Sequence, residues 1–260
     1  MLEILDPEKI RNIRIAIAQI FCLDGDRAGN FVRIENAIRE AKAGEADIVC
    51  FPETVILGWV NPDAYERAFP IPGRDSERLC ELTKRYGIYL CAGLAEKEGK
   101  KLYDSAVLID KSGRILVKHR KINILTELMS PPYTPGNEIN AVDTEFGKVG
   151  LLICADTHKD DILERMAKLK PDLLLVPYGY AEQEDNWPEH GKELERVVNH
   201  SAQRTGAVVV GPNLVGEITE GPWKGRIFGG HSVAADKNGK SLIIGADRDR
   251  DIRIISIRMG

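Results

Sequence analysis

KVGLLICADTH, residues 148–158, decides how this chain is read. Val149 to Ile153 make an apolar run of strand length, and the run ends on Cys154. Short polar residues follow. A helical pattern over 159–169 then puts Ile162, Leu163, Met166 and Leu169 on one side. DLLLVP, residues 172–177, is a second apolar run bounded by prolines and reads as a buried strand. Long apolar strands of this kind belong to sheets covered on both faces. A thiol at a strand end, beside a turn that aims backbone N–H groups at it, is well placed to act as a nucleophile.

The same order appears at the start of the chain. RIAIAQI (14–20) reads as a strand, and Phe31, Ile34, Ile38 and Ala41 mark one face of a helix over 27–42 that ends at Gly44. DIVCF (47–51) is the next strand, stopped by Pro52. This β-α-β order predicts a right-handed crossover between parallel strands. Glu53 stands directly after the second strand. Residues 54–73, with Gly58, Trp59, Asn61-Pro62 and Pro70–Gly73, read as a surface loop with one short helix. A helix over 75–86 and a strand over 88–96 follow. YDSAVLID (103–110) and RILVKHRK (114–121) flank Lys111-Ser112-Gly113 as the arms of a hairpin, which Lys121 closes.

Residues 122–141 hold Pro131, Pro132 and Pro135, and a loop of that length inside a compact fold is more often functional than idle. Beyond the strand at 172–177, Tyr178, Tyr180 and Trp187 occupy a loop that suits a pocket wall. Leu194, Val197, Val198, Ser201 and Ala202 then mark an amphipathic helix, and AVVVG (207–211) is a strand. GGHSVAAD, SLIIGA and IRIISI, within 228–258, read as a closing meander with a hairpin turn at Lys237-Asn238-Gly239. No linker or repeat divides the chain, so residues 1–260 are expected to form one domain. The strands outside the first β-α-β unit need partners, which predicts an α/β fold of two packed mixed sheets with helices outside.

Composition narrows the function. The 260 residues are 43% hydrophobic and 29% charged, with a formal net charge of -4. That balance gives no electrostatic footprint for nucleic acid or an anionic membrane. No apolar run approaches the ~20 residues of a membrane span, and the charged MLEILDPEKIRNIR start lacks the apolar core of a secretory signal. A cytoplasmic setting is the expectation. The five cysteines, Cys22, Cys50, Cys80, Cys91 and Cys154, include no C-x-x-C pair, which argues against a disulfide framework or a zinc site. Cys50, Cys80 and Cys91 read as packing residues. The five histidines show no spacing that singles out a Cys–His dyad, and Asp160-Asp161 fit a helix N-terminus as readily as a metal.

Glu53, Lys121 and Cys154 each stand just beyond a predicted strand. With FPET around Glu53, HRKINIL around Lys121 and LLICAD around Cys154, the sequence resembles the nitrilase superfamily of carbon–nitrogen hydrolases. AIAQ, YTPGNE and FGGHS…DKNGK extend the resemblance over nearly the whole chain. It implies a four-layer α-β-β-α sandwich and a homodimer. It also implies that Cys154 attacks a small linear amide, with Glu53 as general base and acid. Lys121 and the backbone N–H of Ala155 would stabilise the oxyanion, and a thioester would then be hydrolysed with no metal or organic cofactor. Glu127 is the candidate for a second glutamate after the lysine. Tyr178 and Trp187 are expected to contact substrate.

The chain departs from the family pattern after the cysteine. In CADTHKDD, His158 stands where many members carry arginine, and Asp161 takes the place of a glutamate. Because arginine there serves branches that bind a substrate carboxylate, the change disfavours an N-carbamoyl amino acid. A nitrile or an N-carbamoyl amine remains open as the substrate, as does acyl transfer to an amine. So does a silent relative that binds a metabolite or a protein.

Overall fold

The computed structural model describes residues 11–259; the N-terminal stretch up to residue 10 lies outside the described residues. Strand β1 (Arg11–Gln19), helix α1 (Arg27–Ala43) and strand β2 (Ile48–Cys50) form the first β-α-β unit. Helices α2 (Ala64–Arg67) and α3 (Arg74–Tyr86) lead to β3 (Tyr89–Glu98), which runs on into β4 (Lys101–Ile109) and β5 (Ile115–Arg120). Next come β6 (Ala141–Thr144), β7 (Gly147–Leu151), α4 (Asp160–Ala167), β8 (Leu173–Leu175) and β9 (Ala181–Glu182). Helix α5 (Glu189–Thr205) precedes β10 (Val208–Gly211), β11 (Val215–Glu217) and β12 (Ile227–Gly229). The described chain closes with β13 (Val233–Ala235), β14 (Ser241–Ile244) and β15 (Asp251–Met259).

The strands build two six-stranded mixed sheets, ordered β15-β1-β2-β3-β4-β5 and β14-β13-β10-β8-β7-β6. Each has three parallel strands at its centre, β1-β2-β3 in one and β7-β8-β10 in the other, with antiparallel strands outside. A small antiparallel sheet, β11-β12-β9, stands apart from them.

Side-chain alternation along the central strands sorts the core into layers. On β1, Ala16 and Ala18 join Ile34 and Ile38 of α1 and Leu79 and Leu82 of α3 in one apolar cluster. The intervening Ile13, Ile15 and Ile17 join Leu151, Leu173 and Val209 of the second sheet in another. That second cluster continues through the sheet to Ile162 and Met166 of α4 and Leu194 and Val198 of α5. The result is the four-layer α-β-β-α sandwich, with both sheets covered on both faces.

The expectations need three corrections. The C-terminal segment is not a single meander. β13 and β14 pair as a hairpin in the second sheet, but β15 leaves them and pairs antiparallel with β1, from Arg11↔Met259 to Gln19↔Asp251. Ile252 and Ile254 pack on the α1 side of that sheet and Ile255 and Ile257 on the other, so the run is apolar on both faces for the same reason as β1. The start of the 54–73 segment is not a surface loop: every residue from Phe51 to Asn61 is buried. Three short strands escape the sequence reading: β9 falls in the segment read as a loop, β11 in a stretch given no element, and β12 at the edge of the expected meander, because two or three residues are too few to establish a period.

Truncating the sheet-to-sheet layer is expected to cost far more than truncating the surface. Ile15→Ala should lower unfolding stability by about 2–5 kcal/mol, whereas Val32→Ala, on the exposed side of α1, should change it by about 0.5 kcal/mol or less; urea titration of both variants checks the contrast.

Candidate active site

The two sheets present the ends of β2 and β7 toward a common point. Glu53 follows β2, Cys154 follows β7, and Lys121 follows β5. Lys121 Nζ donates to Glu53 Oε1 at 2.5 Å. Glu53 Oε2 is buried and accepts no hydrogen bond from nitrogen, and the Cys154 thiol interacts with the Glu53 carboxylate. All three residues are at least 95% buried.

Cys154 has a left-handed backbone, φ 40, at the start of a 3-10 turn, Cys154–His158. A non-glycine residue held there costs of order 1–3 kcal/mol, so its surroundings must fix it. Cys154 N–H donates to Pro177 O at 3.1 Å. Thr157 Oγ donates to Cys154 O at 2.6 Å and sits 2.9 Å from the Tyr178 hydroxyl. Asp156 does most of the anchoring. Its carboxylate accepts from the N–H groups of Ile122, Asn123 and Ile153 and from His119 Nε2. Asn123 Nδ2 adds a bond to Ala155 O. One buried acid therefore ties the cysteine turn to the segment that follows Lys121.

The charges in this site act on one another. Burial pushes the Cys154 thiol up, Glu53 adds to the effect, and Lys121 with the Gly179 N–H opposes it without overcoming it, so the resting thiol is neutral. Burial also opposes ionisation of Glu53, but Lys121 and the hydrogen bonds it receives win, and it stays a carboxylate. Lys121 remains an ammonium: burial disfavours its charge, and its acidic neighbours, Glu53 first, more than compensate. Backbone fits closely around this group. A Cβ at Gly179 would stand 2.6 Å from Trp59 Cδ1 and 2.8 Å from Glu53 Oε2.

Cys154 and Ala155 form the floor of a cavity of about 330 Å³. One wall is a row of flat rings: Tyr180 stacks on His190 at 4.1 Å and lies 6.0 Å from His158. The opposite wall holds Trp59 and Trp223, edge to face at 5.4 Å, with Leu125 and Leu128 beside them.

With this geometry in view, residues 14–260 match the family model described as carbon-nitrogen hydrolase. The chain belongs to the carbon–nitrogen hydrolase family. An (R)-stereoselective amidase of Pseudomonas sp. is 28% identical over 94% of this chain and 85% of that one. Omega-amidase NIT2 of Mus musculus is 30% identical over 70% of this chain and 68% of its own. Among solved structures, the nitrilase-superfamily amidase of Nesterenkonia sp. AN1 superposes with a TM-score of 0.82 at 20% identity, covering 94% of this chain and 90% of that one. That structure carries the acetamide moiety of fluoroacetamide covalently on its active-site cysteine.

Within this member of the carbon–nitrogen hydrolase family, the residues singled out from sequence divide. Glu53, Lys121, Cys154 and Ala155 come together. Glu127 does not: it is exposed on the loop after Lys121. The second carboxyl group at Lys121 belongs instead to Asp104, with Oδ2 3.4 Å from Nζ. Sequence reading passed over it because it sits inside an apolar strand, and only the hairpin register reveals it, since Lys121 N–H donates to Asp104 O across β4 and β5. Tyr178 is fully buried behind the cysteine turn and does not line the cavity; its neighbour Tyr180 does. Trp187 also points away, its Nε1 donating to Asp247 at 2.7 Å. Trp59, Trp223 and His190 were missed as wall residues, Trp59 because its segment read as surface.

Asp156 offers a test of the scaffold. Burial opposes its charge, but His119 and the backbone N–H groups hold its carboxyl below the ordinary 3.8. A lowered folded value means that its contribution is present above 3.8 and is lost as pH falls through the folded value. Asp156→Asn should cost about 3–5 kcal/mol at pH 7. Its stability should also fall less steeply than wild type below pH ~4, which denaturant titrations across pH would record.

Proposed function

We propose that the protein is a cysteine-dependent amidase that cleaves the C–N bond of a small linear amide through a thioester and releases ammonia. The observation that carries this reading is the buried Lys121–Glu53 ion pair set against Cys154, which itself lines the cavity. Family membership and the amidase names of the relatives support it.

The chemistry follows from the charges. A neutral thiol is a poor nucleophile, so the Glu53 carboxylate takes the Cys154 proton as sulfur attacks the amide carbon. The carbonyl π electrons move onto oxygen. The Lys121 ammonium and the Ala155 N–H, at the first turn of a short helix, stabilise that charge, and such a donor is typically worth ~3–4 kcal/mol of barrier. The C–N bond then breaks, Glu53 returns the proton to the leaving nitrogen, and ammonia departs. Glu53 next deprotonates water, which attacks the thioester; the carboxylic acid is released and the thiol is regenerated.

The walls favour an uncharged acyl group. Loss of hydration lowers the pKa of His190, and of the more exposed His158, which favours their neutral forms. Lys121 is occupied by Glu53 and Asp104, Lys159 is exposed, and Glu182 is matched by Arg226 at 3.5 Å. No buried cation among these lining residues is left to hold a carboxylate, and an unpaired charge would lose its hydration on entry.

Two measurements test this reading. Ammonia release across a panel of simple amides should vanish in Cys154→Ala, and mass spectrometry of the wild type should find an acyl adduct on Cys154; neither turnover nor adduct with any amide would end the proposal. Within the panel, uncharged amides should exceed amides bearing a terminal carboxylate by about tenfold or more in kcat/KM, equivalent to ~1.4 kcal/mol. With hydroxylamine added as acceptor and a carbamoyl amine included in the panel, carboxylic acid, hydroxamate or carbon dioxide among the products separates hydrolysis of amides from acyl transfer and from carbamoyl cleavage.

A further inference from the structure

Asp104 has no part in the scheme above, yet it lies at the centre of the charge cluster. It is 99% buried and faces Glu53, Lys121 and the hydroxyl-bearing ring of Tyr133. Its Oδ2 is 3.4 Å from Lys121 Nζ, and its Oδ1 is buried without a donor. The Tyr133 hydroxyl is likewise buried without a partner, so it does not supply that donor. The Asp104 and Glu53 carboxyl groups are themselves in hydrogen-bonding contact. Two carboxylates cannot bond to each other unless a proton lies between them.

We propose that Asp104 works as a neutral carboxylic acid, its proton held against the Glu53 carboxylate, so that the buried Glu53–Lys121–Asp104 cluster carries no net charge. This rests on the amidase reading only for its functional consequence. Glu53 is then the single anion beside Cys154. A second would oppose both loss of the thiol proton and development of the oxyanion. Burial and the Glu53 charge both push the Asp104 carboxyl upward, in keeping with this assignment, and Lys121 only partly offsets them. The proton also has a mechanical use. Lys121, from the end of β5, and Asp104, from β4, grip the Glu53 carboxylate and hold it beside the thiol. Asp104 is in this sense a positioning residue.

The proposal separates three variants of one site. If the side chain serves as a neutral donor, Asp104→Asn keeps a donor of the same shape and should retain kcat/KM to within about tenfold, whereas Asp104→Ala should lose about a hundredfold or more, the usual consequence of removing one buried donor. Asp104→Asn falling to the level of Asp104→Ala would overturn the idea. Infrared difference spectroscopy of wild type against Asp104→Asn at pH 7 gives a readout that packing alone does not move. The carbonyl stretch of a protonated carboxylic acid should be present in wild type and absent in the variant, and its absence from wild type would equally refute the assignment. The spectrum needs no substrate, so its failure is distinct from failure of the amidase reading, which an inactive wild type would signal.

Discussion

A buried ammonium ion is the constraint around which this molecule is arranged. Lys121 Nζ is out of water, and a lone charge there would be prohibitive. The Glu53 carboxylate balances its charge, and Asp104 places a second carboxyl group beside it. These two acids come from the segment after β2 and from β4, and Lys121 itself comes from the end of β5, so housing one side chain fixes three parts of the first sheet relative to one another. The grip is electrostatic and sits in a low-dielectric setting, where small displacements are expensive.

The second sheet is brought into the same arrangement by Asp156. Its carboxylate reads the backbone on both sides of the gap, through Ile153 next to the cysteine and through Ile122 and Asn123 next to the lysine. The strained backbone at Cys154 is held by bonds to its own N–H and C=O rather than by packing of its thiol. The cysteine turn is thus anchored through main-chain bonds, and the Cys154 side chain is left at the edge of the cavity beside the Glu53 carboxylate.

Much of this was legible in the sequence because it is carried by periodicity. Alternation and apolar runs announced β1, β7 and β8, and three- and four-residue spacing announced α1 and α5. Local context around Glu53, Lys121 and Cys154 singled out three side chains that the fold brings together. What was not legible depends on register and on burial of polar segments. Asp104 is chosen by which residue of β4 lies opposite Lys121, and no spacing along the chain encodes that. Glu127 looked suitable by distance in sequence, yet its loop carries it into solvent. Tyr178 and Tyr180 lie two residues apart with their rings edge to face at 6.5 Å, yet only Tyr180 reaches the cavity, so composition alone could not choose between them. Trp59 sits among glycine and proline residues that usually mark a surface, but the segment is drawn inward because Glu53 at its start must meet Lys121.

The pairing of β15 with β1 has a consequence for how the molecule assembles. The two strands are joined at register Ile15↔Ile255, across nearly the whole described chain, so the ladder between them is the most nonlocal contact in the first sheet. During synthesis from the N-terminal end, β1 can dock on β2 early, but its other edge must wait for the closing strand. Until then a row of unsatisfied backbone groups flanked by isoleucines stays open to strangers. Chaperone demand and aggregation during expression should therefore concentrate on this seam rather than on the catalytic cleft, and linking or shortening the segment that delivers β15 is the place to adjust yield.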